Sequence, residues 1–337
     1  MLSCRPGGTV HTDEFALSAR SALLGMTERL VRTEGSGMSG VQLGVGLPTG
    51  GEHAAPEAIV QVAEEAERAG LGSVWTYERL LRPAVPIAMG GAGGPVMDPP
   101  EGFANVYDPL EVLGHVAART ERITLGTSVL DALFHSPVVL ARRIATVDRL
   151  SGGRLLAGVG QGWMSQEFEA AGVPMKRRGA GFEEHVRAMR AVWGPDPVSF
   201  EGRFYRIPEC EIGPKPAREG GPVLLVGGVA PAAIERAARL GAGVTLVIFD
   251  WDALTGAIEA YRQAARAAGH PAGPVVVQVN GAVTAQPLDE RAPLTGSPEQ
   301  VAGDLDRLDH LAVDHVFWAM PGPPGESVQS IAPLLTR

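Results

Sequence analysis

Three glycines two positions apart, Gly158, Gly160 and Gly162, alternate with Val159, Gln161 and Trp163 at the end of an apolar run beginning at Arg154. A turn so poor in side chains lets a flat ligand approach bare backbone and meet its amides. A second pair, Gly227-Gly228, closes the run Pro222 to Val226 and precedes a helix opened by Pro231. Exposed amides and a helix N-terminus at that place could hold a phosphate. At both places the alternative is tight strand-to-helix packing by glycine. His135, after the end of another apolar run, is a candidate cofactor or substrate contact, with core or surface burial as its default. The eight histidines show no H-x-H or H-E-x-x-H spacing, and no G-x-S-x-G elbow occurs. Metal-assisted and serine-nucleophile chemistry therefore lack their usual residues.

These groups need a scaffold, and hydrophobic period supplies one. Ile123 to Leu130 reads as a strand, and Pro137 opens a helix with Leu140, Ile144 and Val147 on one face. Ser151-Gly152-Gly153 stops that helix, and Arg154 to Val159 resumes as a buried strand. The same alternation begins at Val41 to Leu47, followed by a helix from Pro56 with Ile59, Val62, Ala63, Ala66 and Ala69 inward and Gly70 as its stop. Ser73 to Tyr77 is the next strand, and Pro109 to Thr120 the next helix. After a helix near Gly181 to Trp193 come strands at Pro222 to Val226, Val244 to Phe249, Val275 to Val283 and His315 to Met320. Helices at Pro231 to Leu240, Asp252 to Ala268, Ser297 to Leu311 and Glu326 to Leu335 separate and follow them. Eight strands alternating with eight helices predict parallel pairing closed into a (β/α)8 TIM barrel. An open doubly wound sheet is the rival, but Gly46-Leu47-Pro48 carries no G-x-G-x-x-G fingerprint at the first βα turn.

The barrel is expected to be one domain spanning residues 41–337, with insertions at about 79–106 and 194–221, the latter read as irregular. Residues 1–40 read as a weakly ordered arm, with a modest helix at Ser18 to Val31 and an alternative start at Met38. With 45% hydrophobic and 20% charged residues the composition is that of a soluble globular chain, and no run of about 18 apolar residues offers a membrane span. The net charge of -9 and the lack of a clustered basic face disfavour nucleic acid as a partner. Cys4 and Cys210 are far apart and suit a reducing cytoplasm, both as bystanders.

The segments GTSV at Gly126 to Val129, LSGGR at Leu150 to Arg154 and GVGQGWMSQEF at Gly158 to Phe168 resemble the luciferase-like flavin and deazaflavin oxidoreductases. Two such turns in this order are far more specific than a lone glycine motif. The resemblance covers roughly Val41 to the C-terminus and implies a barrel of the bacterial luciferase type. It also implies coenzyme F420 as cofactor, hydride transfer to or from a small organic substrate, and a homodimer. FMN with oxygen activation is the alternative, and a catalytically idle flavin-binding relative the third reading. By the same resemblance Ser128-Val129 lies under the cofactor ring, often at a bulged or non-prolyl cis peptide. The segment Gly158 to Trp163 contacts ring and side chain, Gln166 matches a polar contact position, and Glu78 an acidic position beside the cofactor. A carboxylate there could accept a hydrogen bond or tune a proton transfer, the alternative being a surface ion pair with Arg79 or Arg82. Some deazaflavin-dependent sugar-phosphate dehydrogenases carry histidine where Arg79 stands and glutamate where Trp163 stands. Both departures argue against that substrate, and leave Trp163 as a pocket wall and Arg79 as a substrate contact.

Overall fold

The computed structural model describes residues 40–89, 91, 93–319 and 323–336. The arm with its Ser18 to Val31 helix, Cys4 and Met38, and the strand end at Met320, lie outside the described residues. Val41–Arg337 forms one compact unit. Its strands are β1 (Gln42–Gly46), β2 (Ser73–Thr76), β3 (Thr124–Thr127), β4 (Leu155–Gly160), β5 (Val223–Gly227), β6 (Gly243–Val247), β7 (Val275–Val279) and β8 (His315–Trp318). The helices between and after them are α1 (Pro56–Ala69), α2 (Pro109–Ala117), α3 (Pro137–Leu150), α4 (Ala180–Trp193), α5 (Pro231–Arg239), α6 (Trp251–Ala267), α7 (Pro298–His310) and α8 (Glu326–Ile331). Each strand pairs in parallel with its neighbours in sequence, and β8 returns to β1 through Gln42 opposite His315. The sheet is a closed eight-stranded barrel with the helices outside it, as the alternation predicts.

α1 buries Ile59, Val62, Ala63 and Ala66, has Pro56 in its first turn, and ends at Gly70 with φ of 91°. Ala69, expected inward, is exposed, because the chain is already turning out of the helix there. The Ser151-Gly152-Gly153 turn lies at the other end of the barrel from the strand C-termini, and Arg154 is its working residue. Its guanidinium donates to the carbonyls of Ser151, Ile123, Ala117 and Thr120 and to the Thr120 hydroxyl, satisfying carbonyls that the end of α2 leaves open. This family-like motif thus serves the fold. The insertion read as irregular holds an antiparallel hairpin, Val198–Glu201 with Arg206–Cys210. Pro208 inside the second strand hides it from a sequence reading. The hairpin is held to α4 by Glu184, whose carboxylate accepts from the amides of Arg203, Phe204 and Tyr205. The other insertion carries a two-residue hairpin, Ile87–Ala88 with Val96–Met97, and a 3-10 turn at Glu101–Ala104. No helix among the described residues is long and apolar enough to cross a membrane.

Inside the barrel Trp75, Leu156, Leu225, Val276 and Phe317 form a separate apolar cluster. Trp75 stacks on Phe317 at 4.6 Å and meets the edge of His315 at 6.1 Å. A Cβ on Gly126 would lie 2.2 Å from the Trp75 ring, so glycine there makes room for the indole. Ser73 Oγ lies 2.9 Å from Trp75 Nε1, which donates to it, and 3.2 Å from His315 Nδ1. Burial pushes His315 down to about 4, so it is neutral in the folded state while its unfolded counterpart titrates near 6.5. With the folded value depressed, its contribution to stability is complete above the unfolded pKa and is lost as pH falls through the folded one. Denaturant titrations should therefore show a loss between pH 6.5 and 4 that His315→Gln reduces by on the order of 1–3 kcal/mol. An unchanged acid limb would count against this assignment.

Candidate active site

β2 leaves the barrel at Thr76, and the next residues, Tyr77, Glu78 and Arg79, stand on the rim where barrel enzymes build their sites. β3 passes through Ser128 and Val129, whose peptide bond is cis, and then resumes as Leu130–Asp131, paired in parallel with Val159 and Gly160 of β4. Glu78 spans this interruption. Its amide donates to Val129 O at 3.1 Å, its Oε2 accepts from the Asp131 amide at 2.6 Å, and its Oε1 lies 2.6 Å from His135 Nε2. Glu78 is buried, so the expected alternative of a surface pair with Arg79 or Arg82 is replaced by an internal pair with His135.

Arg79 turns the other way. Its Nη1 donates to Glu167 Oε2 at 2.6 Å, and the second oxygen of Glu167 accepts from the Leu80 amide at 2.8 Å. Glu167 sits on the short helix Ser165–Ala170 and is fully buried. The guanidinium carbon lies 4.9 Å from the Phe103 ring centre and 5.2 Å from that of Trp163, while Nε has no partner among the described residues. Arg82 is engaged elsewhere, donating to Pro99 O.

Two carboxylates and a histidine on this rim titrate abnormally. Burial, with the nearby negative charges of Glu78 and Glu167, pushes Asp131 up to about 7 against the opposing pull of Arg79 and the Gly162 amide. Burial also raises Glu167, with Arg79 pulling it back. Burial alone would lower His135, but the hydrogen bond and charge of Glu78 outweigh it and raise the imidazole above its usual range. A group near 7 in a barrel mouth is what a site that holds or exchanges a proton requires.

Ser128 Oγ shares a hydrogen bond with Thr245 Oγ1 at 2.9 Å and donates to Gln278 Oε1 at 3.0 Å, and Gln278 Nε2 donates to Asn280 Oδ1 at 3.2 Å. β3, β6 and β7 thereby contribute one polar array at the mouth. Thr245, Gln278, Asn280, Asp131 and Glu167 escaped the sequence reading. The signal for the first two was a lone polar residue inside the apolar strands GVTLV and VVVQV.

The glycines serve the protein before any ligand. A Cβ on Gly158 would lie 1.9 Å from Thr127 O, on Gly160 2.5 Å from Val129 Cγ2, and on Gly227 2.6 Å from Val129 Cγ1. These three make room for the β3 interruption, and Gly162, at φ of 71°, is hemmed in by Phe168 and Phe134. The space beside them is filled by protein, in contrast to the bare ligand-facing turn expected there. Gly228, at φ of 131°, remains exposed on the rim ahead of α5, whose first residues have no side-chain cap among the described residues. Of the other expected contacts, Gln161 Oε1 accepts from the Gly179 amide at 2.9 Å, tying down the chain that enters α4. Gln166 is half-buried and accepts from Ser165 Oγ, and Trp163 is half-buried against Arg79. Thus Glu78, His135, Ser128, Val129, Gly158, Gly160 and Gly227 converge, while Arg79 and Trp163 form a second cluster around Glu167.

Residues 36–293 match the family described as luciferase-like monooxygenase. Over 163 residues the chain is 35% identical to an uncharacterised protein of Mycobacterium tuberculosis, a match covering 48% of this chain and 58% of that one. The chain thus spans less than two thirds of that relative's length. It is 29% identical to an F420-dependent glucose-6-phosphate dehydrogenase of Amycolatopsis mediterranei over 317 residues, 87% of this chain and 89% of the relative. The crystal structure of the monooxygenase RslO1 from Streptomyces bottropensis superposes with a TM-score of 0.72 at 25% identity, covering 88% of this chain and 99% of that one. With the closed barrel, the cis step at Ser128-Val129 and this match along most of its length, the chain belongs to the luciferase-like monooxygenase family.

Proposed function

We propose that the protein is a coenzyme F420-dependent oxidoreductase acting on a small organic substrate. The observation that carries this reading is the relative named for F420, which aligns along 87% of the chain. The residues present fit such a group. Ser128 and Val129 offer a shelf at the mouth, Thr245, Gln278 and Asn280 offer polar atoms for ring heteroatoms, and the exposed rim at Gly228, ahead of the start of α5 that no side chain caps among the described residues, leaves room for a phosphate. When bound, a deazaflavin supplies hydride transfer, and the protein's part is orientation and exclusion of water. Asp131, and His135 in its hydrogen bond to Glu78, hold protons beside this shelf, and Trp163 stands with Arg79 in the neighbouring cluster. Arg79 and Trp163 stand where the resemblance implies histidine and glutamate in some sugar-phosphate dehydrogenases, so glucose 6-phosphate is not the substrate proposed.

A second reading is a monooxygenase using FMN, and the superposition on a monooxygenase over 88% of the chain supports its monooxygenase part. Purification from a host that makes both cofactors separates the two. Mass spectrometry of the retained molecule should find F420, and FMN in its place would support the second reading.

A further inference from the structure

We propose that His185 is a positioning residue for His135: by donating from α4 to the His135 carbonyl, it sets the His135 imidazole toward Glu78. The proposal rests on the oxidoreductase reading only for what His135 does at the mouth, which is to hold a proton. The bond and its consequence for His135 stand whichever cofactor binds.

His185 lies in the middle of α4 and is fully buried. Its Nε2 is 3.0 Å from His135 O. A carbonyl oxygen only accepts, so Nε2 carries the proton and donates. The other ring nitrogen, Nδ1, is buried and has no partner among the described residues. A proton there would make a buried charge with nothing to receive it, and burial pushes His185 down to about 4. The neutral ring therefore has one tautomer and one hydrogen-bond partner. An apolar ring would fill the same place without leaving Nδ1 bare, so what the imidazole adds is the bond to His135.

His135 follows the 3-10 turn Ala132–Phe134 in extended conformation, and its amide donates to Ala132 O at 3.1 Å. The bond from His185 fastens the carbonyl of the same residue, so the peptide groups on both sides of its Cα are held. From that base the side chain reaches Glu78 Oε1 at 2.6 Å, a contact that weakens steeply with misalignment. α4 is braced in turn from outside. Glu184, the neighbour of His185, accepts from three amides of the hairpin turn, and Tyr205 of that turn meets the His185 ring edge-on at 5.2 Å.

Acting on the His135 ring are Glu78 from the end of β2, Arg143 from α3, Asp108 ahead of α2 and His185 from α4, while Glu78 is shared with the Asp131 amide. A ring turned out of line with Glu78 keeps its burial and loses the bond that offsets it, so it gives up its proton more easily.

The test follows the imidazole ring nitrogens by NMR against pH in the full chain without cofactor. In the wild type, His185 should be neutral with its proton on Nε2 from about pH 5 to 8, and His135 should titrate above about 6.5. His185→Phe keeps a ring against Tyr205 but removes the donor, and His135 should then titrate lower by about one unit or more. His185→Gln places an amide N–H near the position of Nε2 and should return the His135 midpoint to that of the wild type. An unchanged His135 midpoint in folded His185→Phe, or an equal drop in both variants, would overturn the proposal. If His185→Phe does not fold, the wild-type ring decides, since a proton on Nδ1 or a charged ring across this range would overturn it as well. Failure of F420 to bind while the His135 midpoint shifts as described would instead sink the cofactor reading and leave this role standing.

Discussion

Gly158→Ala is expected to cost the barrel about 3 kcal/mol or more, at the upper end of what overpacking does. The added methyl carbon would stand 1.9 Å from Thr127 O. That oxygen is backbone and sits just before the cis Ser128-Val129 step, in a strand held on both sides by β2 and β4. Thr127 Oγ1 also donates to Gly158 O at 2.8 Å, so the two strands are latched where the clash would occur. Relief needs strand separation, which a side-chain rotation cannot provide. Gly256→Ala in α6 is the control, since apart from its chain neighbours and the helix's own backbone none of the described residues lies within 4 Å of the new Cβ. It should stabilise by about 0.5–1 kcal/mol through helix propensity. Denaturant melts of both variants check the pair, and a Gly158→Ala protein as stable as wild type would refute the proposed contact.

The second large effect is electrostatic. Asp131 is buried and its carboxyl is pushed up to about 7, against an unfolded value of 3.8. With the folded pKa raised, stability from this group is fully present below the unfolded value and is lost as pH rises through the folded one. The amide introduced by Asp131→Asn carries no charge at any pH. The stability difference between this variant and wild type should therefore move in favour of asparagine between pH 4 and 8, by up to about 4 kcal/mol. His135 is present in both proteins, so the difference isolates Asp131 apart from coupling between them. Urea titrations at unit pH steps measure it. A difference that stays flat across this range would mean that the carboxyl is ionised throughout.

The barrel was legible because helical and strand periods alternate with glycine and proline at their junctions, as at Pro56, Gly70 and Pro137. What escaped was set by spatial neighbours. A surface pair of Glu78 with Arg79 or Arg82 was the alternative to a place beside the cofactor, but neighbours in an extended chain point to opposite sides. One went in to His135 and the other to Glu167, 88 residues away in the chain. The glycines near Val129 were legible as special, yet the occupant of their space was invisible, because Val129 comes from another strand. Thr245 and Gln278 reach Ser128 only once the barrel closes.

The direct measurement is equilibrium titration of the purified, cofactor-free chain with F420 and with FMN under one set of conditions, followed by cofactor fluorescence. Saturable F420 binding at least about tenfold tighter than FMN is the expected result, and Gly228→Val, which fills the exposed rim glycine, should weaken it. Tight FMN binding with no saturable F420 binding would contradict the deazaflavin assignment.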